Sequence, residues 1–484
     1  MLPVSDSLSP QLLALNFCKN PLCADFGSLN AANYSFSLSS NNPQIACVSC
    51  HSISPVISPT ELNEEVTAQL EHMNLGLTAC TNEQCENVGL NVQLHPSRYY
   101  AFGFSGDKQR YRCKSCQKTI VDRFSVKNPN LKTHVTILAL LLTGFSLKEI
   151  AAKLKIQAKT LNDHIKSMAT ICRQKSSVFD HHWHNKRQHF HLGSDWNFLQ
   201  PKSHNGVLWV CTADLDSHYI ALQSLNLSEQ ENITGHRFIG SDFLASINTA
   251  PLPPKSSTLR DILESLSTGH QERSHRNNPL HNQTQLNYPA KSSLVSPIYC
   301  TAAHYLRLNH SLGNKEQVVI SMSFEPMLAD AAMLSFNAMR QKQSLDLLYQ
   351  LDDEKWTEGK AGSKPQIFKF KDSEVPWSLS EQWHLRGKAD QRAICQLVES
   401  NLTQKQAHQL PKLSPVTHYM DRFHAMFKSS VNEPRRKRRP EGLLPLLDIY
   451  RAWNNLCHQE KPGETPAVNA GISEKPLSLD QLLQ

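Results

Sequence analysis

The sequence predicts a multidomain chain: two small metal-stapled modules, an all-α unit, and an α/β domain interrupted by a long polar insertion. Three observations predict it. Cysteine pairs recur at Cx4C…CxxC spacing, the periodicity turns helical near Lys132, and strand-like segments begin at QHFHLGSDWNF. At 484 residues the chain can bury more than one core. Its charge excess is slight, 50 Lys and Arg against 43 Asp and Glu, so charge clusters carry more information than the total. The longest apolar run, ILALLL from Ile137, is far shorter than the ~20 residues of a membrane span, and no membrane partner is expected. The N-terminus, MLPVSDSLSPQLLALNF, lacks a basic n-region and a small-residue cleavage site, so a cytoplasmic location is expected. In that reducing compartment the 13 cysteines are not expected to form a disulfide framework: eight fall in pairs at metal-ligand spacing, and Cys172, Cys211, Cys300, Cys395 and Cys457 read as isolated core or surface thiols.

The first two modules follow from the cysteines. Cys80 and Cys85 form a Cx4C pair whose partners are Cys113 and Cys116 in QRYRCKSCQKTI. Four thiolates on two knuckles can close tetrahedrally on one structural Zn²⁺, which stands in for a core too small to fold alone. The pattern occurs earlier as Cys18, Cys23, Cys47 and Cys50, and CKNPLCADFG aligns with CTNEQCENVG without a gap through Gly27 and Gly89. This internal repeat predicts two zinc ribbons, over residues 1–75 and 76–128, and two zinc ions. His51, beside Cys50, is an alternative donor, and free buried thiols or a redox pair is the alternative to zinc.

Around the second ribbon, Arg98, Lys108, Arg110, Arg112, Lys114, Lys118 and Arg123 interleave with Tyr99, Tyr100, Phe102, Phe104 and Tyr111. That mixture suits phosphate contact and aromatic packing, so double-stranded DNA is the expected partner, with Arg110, Arg112 and Lys114 as leading contacts. A merely solvated basic face is the bland alternative. The first ribbon lacks this coat and is assigned a packing or partner-binding role.

Residues 129–178 read as a helix-turn-helix. THVTILALLLTG is one helix, Ser146-Leu-Lys-Glu149 is a capping box that opens the second, and AKTLNDHIKSM is the third. Ile150, Leu154, Ile156, Leu161 and Ile165 form the packed face, which leaves Gln157, Lys159, Thr160, Asn162, Asp163 and Lys166 to face a major groove. The histidines of HHWHNKRQHFH read as part of a basic interdomain segment in preference to a metal site.

A Cx4C…RYRCKSCQKT ribbon followed by GFSLKEIAAKL resembles the N-terminal DNA-binding part of bacterial insertion-sequence transposases, most clearly over residues 80 to 170. The resemblance implies an RNase H-like, DDE-type catalytic domain over 185–455. Such a domain cuts DNA at element ends and joins it to target DNA with two Mg²⁺ ions. It further implies a homo-oligomer on DNA and a bacterial, nucleoid-associated location. Read for that chemistry, QHFHLGSDWNF is a short strand ending in Asp195, the first catalytic candidate, and GVLWVCTADLDSHYIALQSLNL is a hairpin whose Asp214 and Asp216 serve the turn. Glu325, after the strand EQVVISM, stands where the family usually has Asp, with Asp330 as the alternative. Asp421, in THYMDRFHAMFKSS, stands where a Glu is usual.

The run Arg435, Arg436, Lys437, Arg438 and Arg439 is expected to hold DNA phosphates, the alternative being a solvated tail. Residues 228–296 read as a polar insertion, and 456–484 as a flexible tail. Two further readings stay open: a non-catalytic DNA-binding protein or degenerate transposase acting as a regulator, and a zinc-stabilised scaffold without nucleic acid.

Overall fold

The computed structural model describes residues 10–19, 23–37, 44–74, 77–82, 84–122, 128–199, 207–228, 293–323, 325–352, 383–386, 392–398, 402, 406, 409–427 and 442–484. The chain divides into two compact units. The first comprises Met1–Ala68, Gln188–Leu215 and Leu222–Thr417, and the second Gln69–Arg187, Asp216–Ala221 and His418–Gln484.

In chain order, α1 (Pro10–Leu15) precedes the small sheet β1 (Tyr34–Ser37), β2 (Gln44–Cys47) and β3 (Ile53–Pro55), then α2 (Pro59–Asn74). A second small sheet follows: β4 (Tyr99–Ser105), β5 (Lys108–Cys113) and β6 (Thr119–Val121). Helices α3 (Leu131–Leu142), α4 (Leu147–Leu154) and α5 (Ala158–Lys186) lead to strands β7 (His189–Leu199), β8 (Val207–Asp214) and β9 (Ile220–Leu225). Short strands β10 (Leu227–Ser228) and β11 (Ser293–Leu294) precede α6 (Pro297–Leu312), β12 (Gln317–Met322), α7 (Pro326–Ser335), α8 (Asn337–Gln341) and β13 (Leu345–Asp352). Then come β14 (Trp383–Arg386), β15 (Arg392–Gln396), α9 (Ser414–Met426), α10 (Leu444–Leu456), α11 (Pro466–Asn469) and α12 (Leu479–Leu483).

The first unit is built on a seven-stranded sheet ordered β14-β15-β13-β12-β7-β8-β9. β7 and β8 are antiparallel, while β12 runs parallel to β7 and β13 parallel to β12. Parallel neighbours require a crossover, and α6 and then α7 with α8 supply the two connections. β8 is buried at every residue, as a central strand covered on both faces must be. The insertion expected at 228–296 is closed at its base, because β10 pairs antiparallel with β11; residues 229–292 between them lie outside the described residues. Helix α6 was not legible beforehand. It is buried along nearly its whole length, so it lacks the amphipathic stripe by which a helix is recognised.

The first small sheet belongs to this unit, and the segments that flank it touch the unit's helices. The Arg340 guanidinium of α8 lies 5.0 Å from the centre of the Phe26 ring. Gly27, at φ +67°, gives it room, since a Cβ there would fall 2.2 Å from Arg340 Nη2. The Ser58 amide donates to the Tyr299 hydroxyl of α6 at 3.0 Å.

In the second unit, α3, α4 and α5 form a three-helix cluster around Ile137, Leu138, Leu141, Ile150, Leu161 and Ile165. The third helix does not stop near residue 178. It runs 29 residues, so most of the histidine-rich segment forms its last turns. Trp183 is buried there and stacks on Tyr219 at 5.9 Å. Asp180, one turn earlier, accepts from Arg451 at 2.6 Å and from the Tyr219 hydroxyl at 2.7 Å. This buried triad ties α5, α10 and residues 216–221 together.

The tail expected to be flexible is instead folded. Thr465 caps α11, and Ser478 with Gln481 forms a capping box on α12. Leu482 and Leu483 are fully buried, and α12 packs on α3 and α5. Apolar anchors at the extreme C-terminus hold a segment whose polar composition reads as mobile.

Candidate metal centres and nucleic-acid interface

Two groups of four cysteines converge: Cys18, Cys23, Cys47 and Cys50, and Cys80, Cys85, Cys113 and Cys116. Within each group the sulfurs all lie within 4.8 Å of one another. Cys18 to Cys50 and Cys23 to Cys47 are both 3.6 Å, while Cys80 to Cys116 is 3.5 Å and Cys85 to Cys113 is 3.7 Å. Tetrahedral Zn²⁺ with bonds of about 2.3 Å sets its sulfurs about 3.8 Å apart, so both sets are compatible with structural zinc. Burial pushes Cys80 up to about 12 and Cys23 up to about 11, while the Lys118 amide draws Cys116 down to about 6. Four packed thiols share their protons unequally, whereas a bound cation holds all four as thiolates. His51, the alternative donor, is exposed and outside the group.

The repeat extends to the hydrogen bonds. Gly27 donates to the Cys18 carbonyl and Gly89 to the Cys80 carbonyl, each at 2.9 Å, with φ +67° and +72°. The Cys18 amide donates to the Tyr34 hydroxyl at 3.1 Å, and the Cys80 amide to Tyr99 at 3.2 Å. Each tyrosine hydroxyl then donates at 2.6 Å to a carbonyl, of Ser28 or Leu90. These tyrosines are the functional residues that sequence reasoning missed; the available signal was a tyrosine opening the strand after each first knuckle. Tyr99, expected among the aromatics offered to DNA, is buried and belongs to the metal knuckle.

Tyr100, Phe102, Phe104, Lys108, Arg110, Tyr111 and Arg112 of the second module's basic and aromatic coat lie on the β4–β5 hairpin. Tyr100, Phe102 and Phe104 are exposed. The Arg110 and Arg112 guanidinium carbons lie 5.1 and 5.0 Å from the Phe102 ring centre, and Tyr111 between them turns inward. Lys114 and Lys118 are exposed beside the second knuckle.

In the three-helix cluster the capping box forms as the sequence requires: the Ser146 amide donates to Glu149 Oε2 at 2.7 Å, and the Glu149 amide to Ser146 Oγ at 3.3 Å. Lys155 makes the turn to α5 in the left-handed region at φ +55°. Gln157, Lys159, Thr160, Asn162, Asp163 and Lys166 are all exposed, while Leu154 and Ile156, expected in the core, are half-buried.

The three acids are placed differently from one another. Asp195 does not end its strand, because β7 continues to Leu199; however, its parallel ladder with β12 ends one residue earlier, at Ser194 opposite Met322. Asp195 is half-buried; its Oδ2 accepts from the Thr417 hydroxyl at 3.1 Å and its Oδ1 from the Trp196 amide at 2.8 Å. At Gly193, two residues earlier, a Cβ would lie 2.4 Å from Leu215 Cδ2, so a larger residue there requires that side chain to shift. Glu325 is buried just before the first turn of α7, after the end of β12.

Asp330, the alternative, faces Lys19; burial pushes its carboxyl up to about 6 against the pull of that cation. Asp421 is exposed on α9 and belongs to the second unit, whereas Asp195 and Glu325 belong to the first. Among the described residues, the sets of three or more His, Cys, Asp or Glu whose ligand atoms converge are the two four-cysteine groups. Arg123 and the run from Arg435 to Arg439 lie outside the described residues.

No protein-family model matches the sequence, and no curated protein and no solved structure matches the chain. Among the described residues no helix is long and apolar enough to cross a membrane.

Proposed function

We propose that this chain is a DNA transposase that binds the ends of an insertion element and performs Mg²⁺-dependent cleavage and strand transfer, acting as a homo-oligomer on DNA. The observation that carries the reading is the sheet order β9-β8-β7-β12-β13, with β8 antiparallel to β7, the last two strands parallel to β7, and Asp195 where the parallel ladder ends. That order suits an RNase H-like core, and active sites of parallel sheets lie at the carboxyl ends of their strands. Asp195 and Glu325 offer the hard oxygen donors that Mg²⁺ takes. Bound Mg²⁺ would supply Lewis-acid chemistry at a phosphate. Thr417 would orient the Asp195 carboxylate toward it.

DNA recognition in this reading belongs to the second unit. The exposed residues at the start of α5 would meet base edges in the major groove, and Arg110, Arg112 and Lys114 would contact phosphates. The test is binding to duplex DNA taken from the boundaries of the sequence that encodes the chain. Asn162→Ala should erode discrimination between boundary and scrambled DNA, whereas Arg112→Gln should weaken both and reduce the salt slope by about one. Affinity without any salt dependence would sink the DNA reading.

A second reading is a DNA-binding regulator without catalysis. It is favoured by the chemistry of the converging groups, which among the described residues are thiolate sets suited to structural zinc and include no carboxylate set.

A further inference from the structure

We infer that the tip of the β4–β5 hairpin is an aromatic wedge that stacks on unpaired bases of DNA, so that the protein prefers duplexes with a disrupted base pair to intact ones. This rests on the DNA contact proposed above and specifies what that contact recognises.

A strand of a small module normally buries one face. β4 buries only its first residue, Tyr99, and every residue from Tyr100 to Ser105 is exposed on both faces. Phe104, at 61% exposure, is the most exposed large apolar side chain among the described residues. It is held out by backbone geometry. The register with β5 shifts between Ala101 and Phe104, and Gly103 and Gly106 take φ +68° and +65° on either side of Phe104. The Gln109 side-chain amide donates to the Gly103 carbonyl at 2.8 Å, which pins the irregular stretch. A bulge of this kind re-aims a side chain.

Phe102, beside it, is flanked by two guanidinium groups at 5.0 and 5.1 Å. Arg110 Nε donates to the Phe102 carbonyl at 3.3 Å and Arg112 Nε to the Gln117 carbonyl at 2.9 Å, so both heads are fixed by backbone and neither pairs with a carboxylate among the described residues. The occupant must therefore combine flat apolar faces with negative charge. An apolar protein surface satisfies the phenylalanines but leaves two cations to be desolvated, whereas unstacked bases on a phosphate backbone satisfy both. An intact duplex offers the phosphates and keeps its base faces stacked away.

The test uses the full-length, zinc-loaded protein and fluorescein-labelled duplexes, identical except for one central unpaired position, with anisotropy read at fixed ionic strength. The wild type should prefer the disrupted duplex roughly tenfold, the fold-change expected for one stacked base. Phe104→Ala should abolish that preference and leave affinity for paired DNA within about twofold, and Phe104→Trp should retain it. 2-Aminopurine at the unpaired position should be quenched by the wild type and not by Phe104→Ala. Equal affinity of the wild type for both duplexes, or a preference that survives Phe104→Ala, overturns the wedge while leaving DNA binding intact. Absence of binding to either duplex overturns the underlying DNA reading as well.

Discussion

Tyr34 and Tyr99 show how single residues set the metal knuckles. Each hydroxyl accepts from the amide of the first cysteine and donates to a carbonyl beyond the second, closing the loop on which two thiolates sit. Tyr99→Phe removes both bonds and leaves the Cys80 amide buried without its acceptor. It should cost about 1–3 kcal/mol and accelerate zinc transfer from the second module to a chromogenic chelator. His134 is a second residue-scale case. Its Nδ1 meets the Asn128 side-chain amide at 3.0 Å and its Nε2 meets His164 Nδ1 at 3.1 Å. Burial, followed by the charge of His164, lowers His134 to about 4. The unfolded state therefore binds the extra proton first, and the stability this site contributes is complete above about pH 6.5 and lost as pH falls toward 4. The melting temperature should decline across that window, and His134→Gln should flatten the decline.

At the scale of elements, legibility followed how local the determining contacts are. The cysteine pairs, the Ser146 capping box and the exposed start of α5 are set by residues a few positions apart, and all could be read beforehand. Helix α6 could not, because burial on all sides removes its periodicity. The C-terminal segment was misread because KPGETPAVNAGISEK is polar, although Ser478-Leu-Asp-Gln481 carried the same capping signature that exposed α4. Leu482 and Leu483 anchor this segment, and the Asn128 side chain donates to the Leu483 carbonyl at 2.9 Å. Leu482→Ala should destabilise the second unit by about 2–5 kcal/mol, seen as a lowered denaturant midpoint with unchanged zinc content.

At the scale of the whole molecule, the duplicated modules have diverged in use. The first gives its surface to the helices of the α/β unit through Arg340 and Tyr299, and the second keeps an exposed, cationic and aromatic hairpin. The acids were the least legible part of the site, because their placement depends on strand register and crossovers rather than on spacing. Asp195, proposed as a catalytic acid, lies one residue past the last β7–β12 pair and four residues before the end of its own strand. The most direct test of the account is Mg²⁺-dependent cleavage of boundary DNA by the wild type and by Asp195→Asn. The account predicts cleavage at the 3′ end by the wild type and none by Asp195→Asn, with equal DNA affinity for the two. Tight binding without cleavage by the wild type, or cleavage that survives Asp195→Asn, would contradict it.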